Sequence, residues 1–152
     1  METSNTLRAL AGGAAGALAV TALNEGARRR IRHAPRMEVI GMRALSAGIR
    51  ALGGRPPRGR KLFRETMAAD LVSNTIYYAL VGAGSRQTRL RRGLLLGAAA
   101  GLGAVLLPPL LGLGHPPGER RPATPLMTVA WYTAGGLAAA LARRMLEPGR
   151  EG

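Results

Sequence analysis

Residues 25–64 read EGARRRIRHAPRMEVIGMRALSAGIRALGGRPPRGRKLFR, a stretch that carries 12 of the chain's 22 basic residues and lies between segments apolar enough to enter a bilayer. An oriented basic loop between apolar spans is the pattern of an integral membrane protein. The reading locates the chain and names no reaction.

Composition agrees with that reading. A chain of 152 residues suits one domain, but aromatic residues make up only 3% of it, so a soluble core would lack its largest fillers. The formal charge of +14 would suggest nucleic acid. The charges, however, sit between apolar segments, and the few aromatics are not interleaved with them as base-stacking platforms, so no nucleic-acid partner is expected. Arg outnumbers Lys 21 to 1 amid abundant Ala, Gly and Pro, which points to a GC-rich coding sequence. Cysteine is absent, which removes disulfides, thiolate metal sites and a cysteine nucleophile.

Four segments approach the roughly 20 apolar residues that cross a hydrocarbon core. The first, about Leu7 to Leu23, contains only Arg8 as a charge, near enough to the end to snorkel. The second, about Met67 to Ala83, is shorter and carries Asp70 and Asn74. The third, about Gly93 to Leu113, should kink or stop at Pro108-Pro109. The fourth, about Ala123 to Ala142, opens after Pro122 and ends at Arg143-Arg144. The sequence Ala17-Leu18-Ala19 offers a small-residue cleavage site, but the basic residue ahead of it is Arg8 alone, offset by Glu2, so the first segment is read as a retained span. The expected fold is all-α: four transmembrane helices and one amphipathic interfacial helix in a single membrane domain.

Counting Lys and Arg in the loops orients the chain. With residues 25–64 in the cytoplasm, that side holds 14 basic residues and the other side 8. Both termini are then expected on the opposite face, with a bacterial inner membrane as the location.

Within the basic loop, Arg36 to Leu52 reads as an amphipathic helix. Arg36, Arg43 and Arg50 recur every seven residues, while Val39, Met42, Leu45, Ile49 and Leu52 follow three-and-four spacing. Such a helix would lie in the interface, and Arg28, Arg29, Arg30, Arg36, Arg43 and Arg50 would meet anionic lipid headgroups or a partner. The alternative is a stripe packed on the protein's own helices or on a partner. Gly53-Gly54 and Pro56-Pro57 then end any helix.

Small residues suggest how the spans meet. Gly12 and Gly16 form one GxxxG pair, and Gly93, Gly97 and Gly101 form two in register, continued by Ala134, Gly135, Ala138 and Ala139 in the fourth span. In lipid, close backbone approach at small residues is a main source of association. A tight bundle, a homo-oligomer, or membership of a larger membrane complex follows.

Polar groups inside spans are costly and tend to mark function. Asp70, Asn74 and Tyr77 or Tyr78 share a face of the second span. The topology brings Asn24, Glu25, Asp70, Asn74, His115, Thr124 and Thr128 toward one leaflet, giving an intramembrane polar cluster of Asn24, Glu25, Asp70, Asn74, Tyr77, Tyr78 and Thr128. Three roles compete for it: structural pairing of Asp70 with Arg64 or the Arg28–Arg30 run, a polar vestibule for an ion or small solute, and an embedded enzyme. The third is thin. The two histidines, His33 and His115, belong to no ligand spacing, and no P-loop, dinucleotide or nucleophile-elbow motif occurs. No catalytic, cofactor-binding or metal-ligating residue is assigned.

Asn24-Glu25, Ala34-Pro35-Arg36-Met37, Gly41-Met42-Arg43-Ala44-Leu45, Asp70-Leu71-Val72-Ser73-Asn74, Tyr77-Tyr78 and Met127 to Tyr132 together make the chain resemble small uncharacterised bacterial four-helix membrane proteins. The resemblance implies a bacterial membrane protein and carries over no catalytic residue. The expected role is non-enzymatic: an accessory or structural subunit, or a self-assembling membrane organiser, with a basic loop for anionic lipid or a partner. The alternative is a small oligomeric channel or transporter using the polar face around Asp70.

Overall fold

The first apolar segment does not stop where its apolar residues do. In the computed structural model, which describes residues 2–117 and 122–147, helix α1 runs Glu2–Arg30, well past Leu23. Its last turns are held by Glu25, whose carboxylate meets Arg28 at 2.8 Å and Arg29 at 3.1 Å. Such pairs at three and four residues support a helix that has left its apolar stretch. Past Arg30 the chain makes a turn, in which Ala34 N–H donates to Ile31 O at 3.1 Å, and Pro35 keeps Ala34 out of the helical region.

Helix α2 spans Met37–Ala51, within a residue of the expected amphipathic segment. Its end is a Schellman cap. Gly53 adopts a φ of 77°, its N–H donates to Arg50 O at 2.9 Å, and Gly54 N–H donates to Ile49 O at 2.9 Å. Helix α3 covers Gly59–Ala79 and continues as a single 3-10 turn, Leu80–Gly82. Helix α4 covers Arg89–Leu110, and α5 covers Ala123–Met145. Pro108 and Pro109 lie inside α4 rather than ending it. The stop comes at Gly112 (φ 71°), where Gly112 and Leu113 donate back to Pro109 O and Pro108 O. Pro108 brings no N–H to the Ala104 carbonyl, so the ladder is interrupted there without breaking the helix. No strand occurs among the described residues.

In cross-section the long helices lie side by side in the order α4, α5, α1, α3, with α2 against α3. Glycines form the seams. A Cβ at Gly97 would lie 2.7 Å from Thr133 Cα and one at Gly101 2.6 Å from Val129 Cα, so α4 and α5 touch backbone to backbone. Gly16 faces Gly135 O across the α1–α5 seam, where a Cβ would sit 2.7 Å away. Gly12 packs on Ala139 and Arg143 of α5, Gly93 on Gly136, and Gly13 turns to α3 at Thr75 and Ala79. The space beside Gly16 and Gly135 admits the Tyr78 ring, whose hydroxyl donates to Tyr132 O at 2.7 Å. Tyr77 reaches the other way and donates to Leu96 O at 2.9 Å.

Large apolar side chains face outward: Leu94, Leu95, Leu102, Leu106 and Leu107 of α4, Val72 and Ile76 of α3, and Leu126 and Leu141 of α5 are all exposed. That reverses the arrangement of a water-soluble domain, whose leucines are mostly inside. Three helices, α1 over Thr3–Arg30, α4 and α5, are long and apolar enough to cross a membrane. Helix α3 has the length, but its first two turns carry Arg60, Lys61, Arg64 and Glu65, and it does not meet that standard by composition.

Candidate functional site

Successive turns of two helices place polar side chains on facing surfaces. Thr21, Asn24, Glu25 and Arg28 recur at three and four residues along α1, and Phe63, Thr66, Met67 and Asp70 do so along α3. Between them lies a cavity of about 210 Å³, closed on one side by the first turn of α2 with Glu38 and Ile40, and on the others by Ala104 and Pro108 of α4 and Tyr132 of α5. By the volume one water occupies, this holds several waters or one small solute.

Its charged groups are unequally neutralised. Arg28 stands between Glu25 at 2.8 Å and Glu38 at 3.8 Å, and Arg36 also meets Glu38, at 2.9 Å. Asp70 has no ion pair among the described residues. The pairing expected with Arg64 or the Arg28–Arg30 run is not formed, because Arg28 and Arg29 are engaged by the nearer Glu25, on their own helix. Asp70 instead has Asn74 beside it, and Asn74 in turn faces Tyr132.

Two buried polar atoms on the wall of this cavity, Asn24 Oδ1 and Thr66 Oγ1, lack a hydrogen-bond partner, while Asn74 stands behind the wall against Asp70. A buried polar atom left unpaired costs about 1–3 kcal/mol. Two of them beside a carboxylate without an ion pair describe a pocket that has polar groups to offer a guest.

The expected polar cluster is therefore divided. Asn24, Glu25 and Asp70 line the cavity, and Asn74 stands one turn behind Asp70. Tyr77 and Tyr78 lie further along α3 and tie α3 to α4 and α5. Thr128 is buried and donates to Thr124 O within its own helix, at 3.2 Å. Thr124 bonds His33 O at 3.0 Å, and the His115 carbonyl accepts from Arg43, so these residues join loops at the same end of the molecule. Among the arginines proposed for lipid, Arg28, Arg29 and Arg36 are ion-paired, and Arg43 donates to Leu113 O at 2.9 Å and His115 O at 3.1 Å. Arg30 and Arg50 are exposed. The apolar stripe of α2 is half-buried at Val39, Met42, Leu45 and Ile49 and bare at Leu52, which is 91% exposed.

Thr21, Glu38, Thr66 and Tyr132 were not singled out by the sequence. Thr66 is detectable as the residue one turn before Asp70, and Thr21 as the one before Glu25. Glu38 is the single acid in the sequence between Arg28 and Arg64, a departure from the charge of its surroundings. Tyr132 has no local signal, since α5 brings it in from more than 60 residues beyond Asp70.

No group of three His, Asp or Glu side chains able to hold a metal ion occurs among the described residues. Comparison with protein-family models, with curated proteins and with solved structures finds no match to this chain.

Proposed function

We propose that this chain is a non-enzymatic integral membrane protein that crosses the bilayer four times and holds a small, positively charged solute in the cavity between α1, α2 and α3. The observation that carries the proposal is Asp70, which has no ion pair among the described residues, beside the unpartnered Asn24 and Thr66 oxygens. A carboxylate favours a cationic guest. The amide and hydroxyl oxygens accept from an ammonium group or replace part of a cation's hydration shell, and the apolar wall from Ile40, Phe63 and Met67 suits a short alkyl chain.

Connectivity supports four crossings rather than three. Arg143 near the end of α5 hydrogen-bonds Asn5 near the start of α1, and Arg89 at the start of α4 lies 2.8 Å from Glu147 just beyond α5. The start of α4 thus shares an end of the molecule with the start of α1, while α1 finishes at the opposite end. On this reading helix α3 brings the chain back across the same thickness, with the four charged residues of its first two turns at headgroup depth and Met67 onward in the hydrocarbon. The basic loop then faces the cytoplasm and both termini the other side, and the membrane proposed is a bacterial inner one.

Uptake of the solute is tested with the purified protein reconstituted in liposomes, following sodium, proton and methylammonium fluxes. Flux that Asp70→Asn abolishes in a folded protein supports a carrier or channel role. Absence of flux in every gradient, together with no thermal stabilisation by methylammonium or sodium, rejects the cavity reading.

A second reading has its own support. Arg30, Arg50 and Leu52 are exposed on the basic loop, the combination of charge and apolar surface that anionic lipid or a partner subunit would cover. On this reading the chain is an accessory or structural subunit, or a homo-oligomeric organiser. Mild-detergent purification with native mass spectrometry tests it, since a stoichiometric protein partner or a stable homo-oligomer should survive.

A further inference from the structure

The end of the molecule away from the cavity concentrates arginine. Arg89 opens α4 and Arg143 closes α5, and both are buried, 2% and 3% exposed. They share one carboxylate: Glu147 Oε2 lies 2.8 Å from Arg89 Nη1 and Glu147 Oε1 lies 3.3 Å from Arg143 Nη1. Arg86 approaches the same Glu147 at 3.6 Å, and Arg8 stands close enough to Arg143 to interact with its charge. Among the described residues, four guanidinium groups against one carboxylate leave an excess of three positive charges. Nη1 of each arginine faces Glu147, but Nε of Arg89 and of Arg143 has no hydrogen-bond partner, so Glu147 meets the charges without satisfying every donor. The Arg143 guanidinium spends one donor on Asn5 Oδ1. The cluster opens outward through Arg86 and Glu147, whose side chains are 52% and 19% exposed.

Uncompensated buried guanidinium groups are costly, and paired forks of N–H donors match the oxygens of a phosphate. We infer that the Arg86, Arg89 and Arg143 cluster is a binding site for a phosphate-bearing anion, in which the Glu147 carboxylate occupies the place that the anion takes. The site lies where α4 begins and α5 ends, at headgroup depth if these helices cross a bilayer. A phospholipid phosphate reaches it from the membrane and inorganic phosphate reaches it from water; both offer the same oxyanion. The inference is independent of the cavity around Asp70, at the other end of the helices.

The test compares the intact wild-type chain with Glu147→Gln, Arg86→Gln and Arg143→Gln, each checked for an unchanged circular-dichroism spectrum. Retention of phosphatidylglycerol over phosphatidylcholine is read by native mass spectrometry, and inorganic phosphate binding by calorimetry in a zwitterionic detergent. The basic loop at the other end also attracts anionic lipid, so the diagnostic is the change on substitution rather than total retention. Glu147→Gln removes the internal competitor and should tighten binding about fivefold or more, while Arg86→Gln should weaken it by about the same factor. That ordering seen with phosphatidylglycerol alone identifies the lipid as the source of the phosphate. The same ordering with inorganic phosphate identifies a free anion. If Glu147→Gln binds neither probe more tightly and Arg86→Gln neither less tightly, the inference is overturned, even should the buried Arg143→Gln fail to fold.

Discussion

Two glycines of the same helix should respond to alanine with opposite signs. At Gly97 a Cβ would stand 2.7 Å from both Thr133 Cα and Tyr132 O of α5, about 1 Å inside ordinary carbon contact. Backbone atoms cannot swing aside, so α4 has to retreat from α5. The retreat also loosens the contacts at Gly93 and Gly101 and stretches the bond from Tyr77 to Leu96 O. Overpacking of this kind costs about 1–3 kcal/mol, against which alanine returns up to about 1 kcal/mol of helix propensity. Gly97→Ala should therefore lose about 1–2 kcal/mol net. At Gly103 the nearest foreign atom is Leu107 Cδ1 at 3.4 Å, the end of a flexible side chain. Gly103→Ala should be neutral or gain up to about 1 kcal/mol from propensity. Reversible unfolding in mixed micelles, read by circular dichroism, measures both. Equal responses at the two positions, or a stabilised Gly97→Ala, would refute backbone-to-backbone packing of α4 on α5.

Other expectations concern single side chains. Tyr78→Phe deletes the hydroxyl that bonds Tyr132 O and should cost about 1 kcal/mol in the same assay; a change within error would mean that the bond is replaced within α5. Arg50→Gln should reduce selective retention of phosphatidylglycerol about fivefold, the equivalent of about 1 kcal/mol for one surface arginine. Arg43→Gln should leave retention unchanged and speed proteolysis of the 111–117 loop, whose carbonyls Arg43 holds. The carboxyl of Glu147, beyond the end of α5, is held below its ordinary value of 4.5, first by Arg89 and then by Arg143 and Arg86. Because the folded state prefers the ionised form, its contribution is complete above pH 4.5 and is lost as the pH falls through the lowered value. The unfolding midpoint should drop on acidification below that point, and Glu147→Gln should flatten the drop.

The parts of the fold that the sequence made legible are those set by local period and composition. The stripe from Val39 to Leu52 placed α2 to within a residue at each end, because amphipathic spacing and the Gly53-Gly54 stop are both local. Three of the four apolar segments became helices long and apolar enough to span. The ends were less legible. Glu25 and its arginines extended α1 to Arg30, and α4 tolerated Pro108-Pro109 because its termination was already supplied by Gly112. At the candidate site, the alternation of helix directions placed Asn24, Glu25 and Asp70 together without any knowledge of packing. Tyr132 and Glu38 required the third dimension. So did the Arg89, Arg143 and Glu147 cluster, in which Arg89 lies over 50 residues from the other two and all sit in stretches that read as ordinary span borders.

The glycine seams bear on how such a chain can change over time. Where helices meet through backbone atoms, the tolerant positions are the outward leucines of α4, which ask only for an apolar neighbour and exchange freely with Ile, Val or Phe. The intolerant ones are Gly13, Gly16, Gly97, Gly101, Gly135 and Gly136, where a single methyl group has nowhere to go. In descendants of this sequence, hydrophobicity would therefore mark the surface and smallness the interior, and a substitution scale built on water-soluble proteins would rank the two in the wrong order.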